Sequence, residues 1–227
     1  MVKVASIIIP TKNEEKNIKS VLATIPISVK EKSEILVIDS SKDKTPLIAK
    51  ECGAKVIKVK GGKGRAIRKG IESAKGKILI FTDGDGEYDP KFMSQMLRYV
   101  KKYDVVLGCH GLKKFKNDDK HWKEVYRLAA FLANIFFRKY GVKLKDPLTG
   151  FRLITKDLAK KLKLQSNGLE IETEMNIKFS KMKLKIKEIP VPNLRRKSGE
   201  SKYVNSFFNS IKLMIKTLEK YKDWKQN

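Results

Sequence analysis

"KILIFTDGDGEYDP" (77–90) runs an apolar segment straight into four acidic side chains, Asp83, Asp85, Glu87 and Asp89. The chain around them has 51 Lys+Arg against 25 Asp+Glu and a formal net charge of +26, so this cluster opposes the general trend. Residues 77–83 predict a buried strand, and Asp89 followed by Pro90 predicts the N-cap and first position of a helix over 89–103. In the extended segment between them, alternation turns Asp83, Asp85 and Glu87 to one side. Like charges that close repel unless a cation sits among them. Hard oxygen ligands with open positions suit Mg2+ or Mn2+ while the ion also holds phosphates. A solvated acidic turn is the alternative.

Outward from this stretch, the chain alternates. Strands are predicted at 4–10, 34–39, 55–59 and 104–108, with helices at 13–25, 44–53 and 62–76. Short connectors between them argue for βαβ units, hence an α/β fold with a mainly parallel sheet and helices on both faces. Ligands of such sheets sit beyond the carboxyl ends of the strands, which is where 10–14, 39–43 and 83–87 fall. "GGKGRAIRKG" (61–70) adds Lys63, Arg65 and Arg68 at a glycine-entered helix start, where free N–H groups favour anions. It lacks the Walker spacing.

After residue 110 the alternation gives way to a long helix (about 122–140), a "DPLTGFR" loop and helices near 156–163 and 168–180. A strand at 183–190 and a final helix from about 203 follow. No linker or repeat interrupts the 227 residues, so one domain is expected, with parts at 1–110, 111–202 and 203–227.

A chain 41% hydrophobic and 33% charged is expected to be globular rather than disordered. The start "MVKVASIIIPTKNEE" has no signal-peptide pattern, and the longest apolar run, "LAAFLANIFF" (128–137), is half the length of a spanning helix. Cys52 and Cys109 suit a reducing compartment, so a cytoplasmic location is expected. The positive field would draw polyanions: nucleic acid, anionic lipid or phosphorylated substrates. No nucleic-acid-binding motif is present, and an acidic sheet edge repels phosphates without a metal, so no nucleic-acid partner is expected. A sugar nucleotidyltransferase would want a glycine-rich loop after the first strand, where "PTKNEE" stands.

"IIIPTKNEE", "VIDSSKDKT", "GKGRAIRKG" and "TDGDGEYDP", in this order and spacing, resemble the nucleotide-sugar half of family 2 glycosyltransferases, which have the GT-A fold. "DPLTGFRLI" (146–154), "GLEIETEM" (168–175) and "RRKSGESK" (195–202) resemble the dolichyl-phosphate mannose synthase and polyprenyl-phosphate hexosyltransferase group. The likeness implies transfer of a hexose, with inversion, from a nucleotide-diphosphate sugar of GDP-mannose or UDP-glucose type to a polyprenyl or dolichyl phosphate. It implies that Pro10, Thr11, Asn13, Glu14 and Asp39 hold the nucleoside and that Lys63 lies in the helix-entry motif. Asp83, Asp85 and Glu87 match the metal triplet for Mg2+ or Mn2+, Glu87 standing where Gln is common. Arg127, Arg152, Arg195 and Lys202 match segments facing the donor diphosphate and lipid phosphate, with Asp85, Arg127 and Arg195 nearest the chemistry. Lys12 stands where an aromatic is frequent, and "DSSKDKT" is one residue shorter than usual. His110 stands where an arginine is usual, which leaves sugars other than mannose open.

A lipid acceptor implies contact with a bilayer. Residues 122–141 and 206–224 mix apolar and basic residues at helical spacing, with Phe207, Ile211, Met214, Ile215 and Leu218 on one side of the second. Such helices can lie in an anionic interface, at the cytosolic face, or pack on the domain instead. Glu170, Glu172 and Glu174 are expected to be structural.

Overall fold

The computed structural model describes residues 4–110, 120–194 and 207–226, without the side chains of 120–127, 129, 207, 208 and 210. Its first half alternates strand and helix: β1 (Ala5–Thr11), α1 (Ile18–Thr24), α2 (Ile27–Lys30), β2 (Ser33–Asp39) and α3 (Thr45–Glu51). β3 (Lys55–Lys58), α4 (Lys63–Ser73) and β4 (Ile78–Phe81) follow, then α5 (Met93–Leu97) and β5 (Val105–Cys109). The second half holds α6 (Lys120–Lys139), β6 (Arg152–Thr155), α7 (Lys156–Lys161), α8 (Ile171–Lys181), β7 (Ile186–Pro190) and α9 (Phe207–Tyr221).

The described strands form one seven-stranded sheet in the order β3-β2-β1-β4-β6-β5-β7. Four neighbouring pairs are parallel, and only β6 runs against its neighbours β4 and β5. The strands read as continuous apolar runs because both faces are covered. Ile7 and Ile9 point into a core shared with α1, α2, α3 and α5, while Ile8 between them points into one shared with α4, α6, α7, α8 and α9. The mixed α/β expectation therefore holds.

Three local expectations change. Arg152, read as the end of the "DPLTGFR" loop, begins the antiparallel strand β6, wedged between β4 and β5. The helix expected over 89–103 is a 3-10 turn at Pro90–Phe92 followed by α5, with Asp89 capping through Lys91 N–H as foreseen. The helix expected from residue 13 begins at Ile18, because the backbone of Glu14 and Glu15 is held by side chains at 43–45.

The two amphipathic helices part company. Met214, Leu218 and Tyr221 bury α9 in the core, so packing on the protein accounts for that face. On α6, Ala133 and Phe137 are buried, but Leu128, Phe131 and Ile135 are 52%, 63% and 52% exposed at helical spacing. Among the described residues, no helix is long and apolar enough to cross a membrane.

Candidate active site

The carboxyl ends of β1 and β2 carry two loops fastened to each other. Thr11 and Ser41 hydroxyls donate to Asp39 Oδ1 at 2.8 and 2.6 Å, and Ser41 N–H reaches Oδ2 at 3.2 Å. Asn13 adopts φ 59°, a left-handed conformation that Asn tolerates. There its N–H donates to Ser41 Oγ and its Oδ1 accepts from Lys42 N–H. Glu14 N–H donates to Thr45 Oγ1, and Glu14 accepts from the Asn17 amide. Burial alone would raise the Asp43 pKa, but donors from Thr45 and Glu15 hold it below the usual carboxylate value. Pro10, Thr11, Asn13 and Glu14 thus lie together as expected. Asp39 lies with them, 1% exposed, and its carboxylate ties the two loops together.

One strand over, β4 ends in the acidic turn. Gly86 at φ 83° allows the chain to fold back, and Asp85 Oδ1 accepts from Glu87 N–H at 3.0 Å. Gly84 passes so close to β1 that a Cβ there would lie 2.7 Å from Thr11 Cγ2. Asp83 Oδ1 is 2.6 Å from Lys63 Nζ, which is also 2.7 Å from Glu172 Oε1 at the start of α8. Glu172, expected to be structural, is thereby part of this ion cluster. A Cβ on Gly150 would lie 2.6 Å from Asp83 Oδ2 and 2.9 Å from Lys63 Nζ, so the loop after Asp146 closes over this ion cluster.

The glycines at the start of α4 serve a different purpose from the one expected. A Cβ on Gly62 would meet Asn167 O at 2.6 Å, and one on Gly64 would meet Ser166 O at 2.4 Å. The N–H groups of Gly64 and Arg65 donate to Gly168 O and Asn167 O at 3.0 and 3.1 Å. This helix end is therefore capped by the chain itself and offers those donors to no phosphate. Arg65 and Arg68 turn to Lys60 O and Asn167 Oδ1.

The floor is packed around a pair of stacked rings. His110 stacks on Tyr88 with centroids 4.2 Å apart and planes 11° from parallel. Its backbone N–H donates to Asp146 Oδ2 at 2.9 Å. Burial pushes the His110 pKa down to about 4, so the ring is neutral near neutral pH and does not replace an arginine's charge. Burial likewise lifts the Tyr88 hydroxyl well above its ordinary pKa, and that hydroxyl accepts from Gly150 N–H at 2.9 Å. Arg152 is buried, donating to Thr149 O at 2.7 Å and Asn176 Oδ1 at 2.8 Å, and so braces the Gly150 loop against α8. Arg127 belongs to α6, its side chain outside the described part, and Arg195 and Lys202 lie outside the described residues.

Among the described residues, no three His, Cys, Asp or Glu side chains converge as a metal-holding group, so Asp83, Asp85 and Glu87 are not a preformed cage. The donors still fit a hard divalent ion. Mg2+ usually takes one or two carboxylates and completes its shell with waters and phosphate oxygens. Asp83 and Asp85 supply such carboxylates beside the β1–β2 loops.

The model of the family "Glycosyl transferase family 2" matches residues 6–163. A dolichyl-phosphate hexose transferase of Haloferax volcanii is 29% identical over 203 residues, 87% of this chain and 85% of that protein. A dolichol-phosphate mannosyltransferase of Pyrococcus furiosus is 28% identical over 208 residues, 87% of this chain but 58% of that longer protein. An uncharacterized Methanocaldococcus jannaschii protein is 31% identical over 93% of this chain and 90% of its own length. Among solved structures, glucosyl-3-phosphoglycerate synthase of Mycobacterium tuberculosis, in complex with Mn2+ and UDP, superposes with a TM-score of 0.77. It covers 96% of this chain and 79% of its own, at 21% identity, a likeness of fold.

Proposed function

The chain belongs to glycosyltransferase family 2 and is a glycosyltransferase of GT-A architecture, and from that premise we propose the reaction it performs. A hexose passes from a nucleotide-diphosphate sugar to a polyprenyl or dolichyl phosphate. A phosphate oxygen of the lipid forms the new bond to the anomeric carbon as the bond to the nucleoside diphosphate breaks, with inversion. The acceptor oxygen is anionic near neutral pH, so no side chain has to remove a proton. The chain's task is to hold two mutually repelling phosphorylated partners side by side.

The observation that carries this reading is one sheet edge on which two fastened loops (10–14 and 39–45) adjoin the Asp83–Asp85 turn and the Lys63 ammonium, 2.6 Å from Asp83. Thr11, Asn13 and Glu14 shape the nucleoside end. Asp83 and Asp85 are the residues that would hold Mg2+ or Mn2+, with Glu87 adjoining. When bound, the ion supplies positive charge that stabilises the departing diphosphate. Arg127, Arg195 and Lys202 are proposed to meet the phosphates of donor and acceptor. The exposed Leu128, Phe131 and Ile135 of α6 are proposed to rest on an anionic bilayer at its cytosolic face, the whole chain acting as one domain.

The test is a transfer assay on anionic vesicles carrying a short polyprenyl phosphate, with Mn2+ or Mg2+ and GDP-mannose, UDP-glucose or UDP-N-acetylglucosamine in turn. One donor should give lipid-linked hexose of inverted configuration, and the protein should float with the vesicles. Asp85→Ala should abolish transfer without lowering the melting temperature. Full turnover by that variant, or in excess EDTA, would contradict the metal role; no product from any donor would contradict the reaction.

A further inference from the structure

Lys63, Asp83 and Glu172 come from three elements, and their roots are not equally free. The start of α4 is fixed to the entry of α8: Gly62 and Gly64 press on the 166–168 backbone, and Gly64 and Arg65 donate to Gly168 O and Asn167 O. Lys63 and Glu172 therefore stand on one rigid unit. Asp83 stands on another, the end of β4. Lys63 Nζ joins the two at 2.6 Å to Asp83 and 2.7 Å to Glu172, and the three side chains are only 14%, 20% and 4% exposed.

We infer that Lys63 is a resident cation competing with the divalent ion for Asp83, and that Glu172 is the positioning residue that retains Lys63 when Asp83 lets it go. The inference rests on the proposed metal role of Asp83 and Asp85. An ammonium and a divalent ion sharing one carboxylate in a sheltered cluster repel each other. For Asp83 to serve as a ligand, Lys63 has to leave it, and Glu172 is the partner already in place. A lysine so displaced stays beside the cleft, with N–H donors turned to whatever anion accompanies the ion. The diphosphate of the donor is such an anion. Asp83 should thus release Lys63 readily only when a diphosphate is there to receive it, which makes uptake of metal and of nucleotide mutually dependent.

The two partners of Lys63 give the test opposite signs. Mn2+ binding is read from the electron paramagnetic resonance signal of the free ion, with and without GDP or UDP. Lys63→Met should bind Mn2+ alone about tenfold more tightly than the unaltered protein, since a like charge has gone from beside the ligand. It should also lose most of the tightening that nucleotide brings. Glu172→Gln removes the second carboxylate beside Lys63 and should weaken Mn2+ binding without nucleotide by roughly threefold or more. Melting curves accompany both, and Glu172→Gln, which keeps its shape, carries the sign test if Lys63→Met does not fold. Affinities moving in the same direction, or Lys63→Met binding Mn2+ no more tightly, would overturn the inference while the metal reading stands. No Mn2+ uptake by the unaltered protein with either nucleotide would bring down both.

Discussion

Helix α8 carries two glutamates, each paired with a lysine, and they do opposite things. At about 100° per residue, Glu172 and Glu174 lie roughly 200° apart around the helix. Glu174 faces the α9 seam. Its Oε1 is 2.6 Å from Lys178 Nζ, and its carboxylate also accepts from Gln165 and Ser166 N–H. Lys178 donates in addition to Leu162 O and Lys163 O, beneath the rings of Tyr221 and Trp224 at 4.7 and 5.1 Å. Burial would raise the Glu174 pKa, yet the donors from Lys178 and Ser166 hold it below its ordinary value. Glu172 faces Lys63 and the acidic turn after β4. Its partner Lys63 comes from α4 and is shared with Asp83 in the turn after β4, and among the described residues its oxygens receive no well-formed hydrogen bond. A buried ion pair saturated by local donors belongs to the fold; one shared between elements and short of donors is poised for a ligand.

The seam should therefore respond to substitution in stability. Glu174→Ala leaves the Lys178 ammonium buried with carbonyls alone, and should cost about 3–5 kcal/mol in urea unfolding, as breaking a buried pair from one side does. Glu174→Leu with Lys178→Met should recover much of that loss, because the desolvation of both charges disappears with them. A cost below about 1 kcal/mol for the single variant would show that the seam is not what it looks like.

The floor of the site carries a stability element that responds to pH. His110 has a folded pKa of about 4 against an ordinary 6.5, so the unfolded chain binds the proton first as pH falls. Its contribution is fully present above pH 6.5 and is lost progressively down to pH 4, about 3 kcal/mol in all. His110→Phe keeps the stack on Tyr88 and the backbone donor to Asp146. Relative to it, the unaltered protein should lose stability between pH 6.5 and 4, measured by urea titration at each pH. Parallel curves for the two proteins would contradict a buried neutral histidine.

How much of this could be read beforehand follows the range of the interactions. β1 to β5 were legible because strands covered on both faces leave unbroken apolar runs, and the edge where 10–14, 39–43 and 83–87 gather follows from parallel topology alone. β6 was not. Arg152–Thr155 is four residues long, follows a Pro–Gly turn signal and passes straight into α7, and its insertion between β4 and β5 is a pairing that no local pattern records. Tyr99 and Tyr103 lie beyond α5 because that helix stops at Leu97. At α4 the glycines were visible but their neighbour was not: the 166–168 backbone occupies the place that a phosphate was expected to take. The signal for Glu172 was present, since glutamates two apart on a helix cannot share a face. All three glutamates are expected alike to be structural because Ile171 to Phe179 is buried all round, so no polar face sets one apart from another.

The smallest expected effect bears hardest on the contrast. Glu172 is as deeply set as many core residues, and by burial alone its loss should rival that of Glu174. The charge of the cluster argues otherwise. Lys63 against Asp83 and Glu172 leaves one excess negative charge, so Glu172→Gln leaves a neutral Lys63–Asp83 pair at 2.6 Å, where removing Glu174 strands a cation. The excess charge and the missing donors already make Glu172 costly to bury, and its neutralisation should change urea stability by less than about 1 kcal/mol. Transfer should fall in the same variant, because Lys63 then has no second carboxylate to move to. A stability loss as large as that of Glu174→Ala, with transfer lost only in proportion to unfolding, would make both glutamates parts of one structural core.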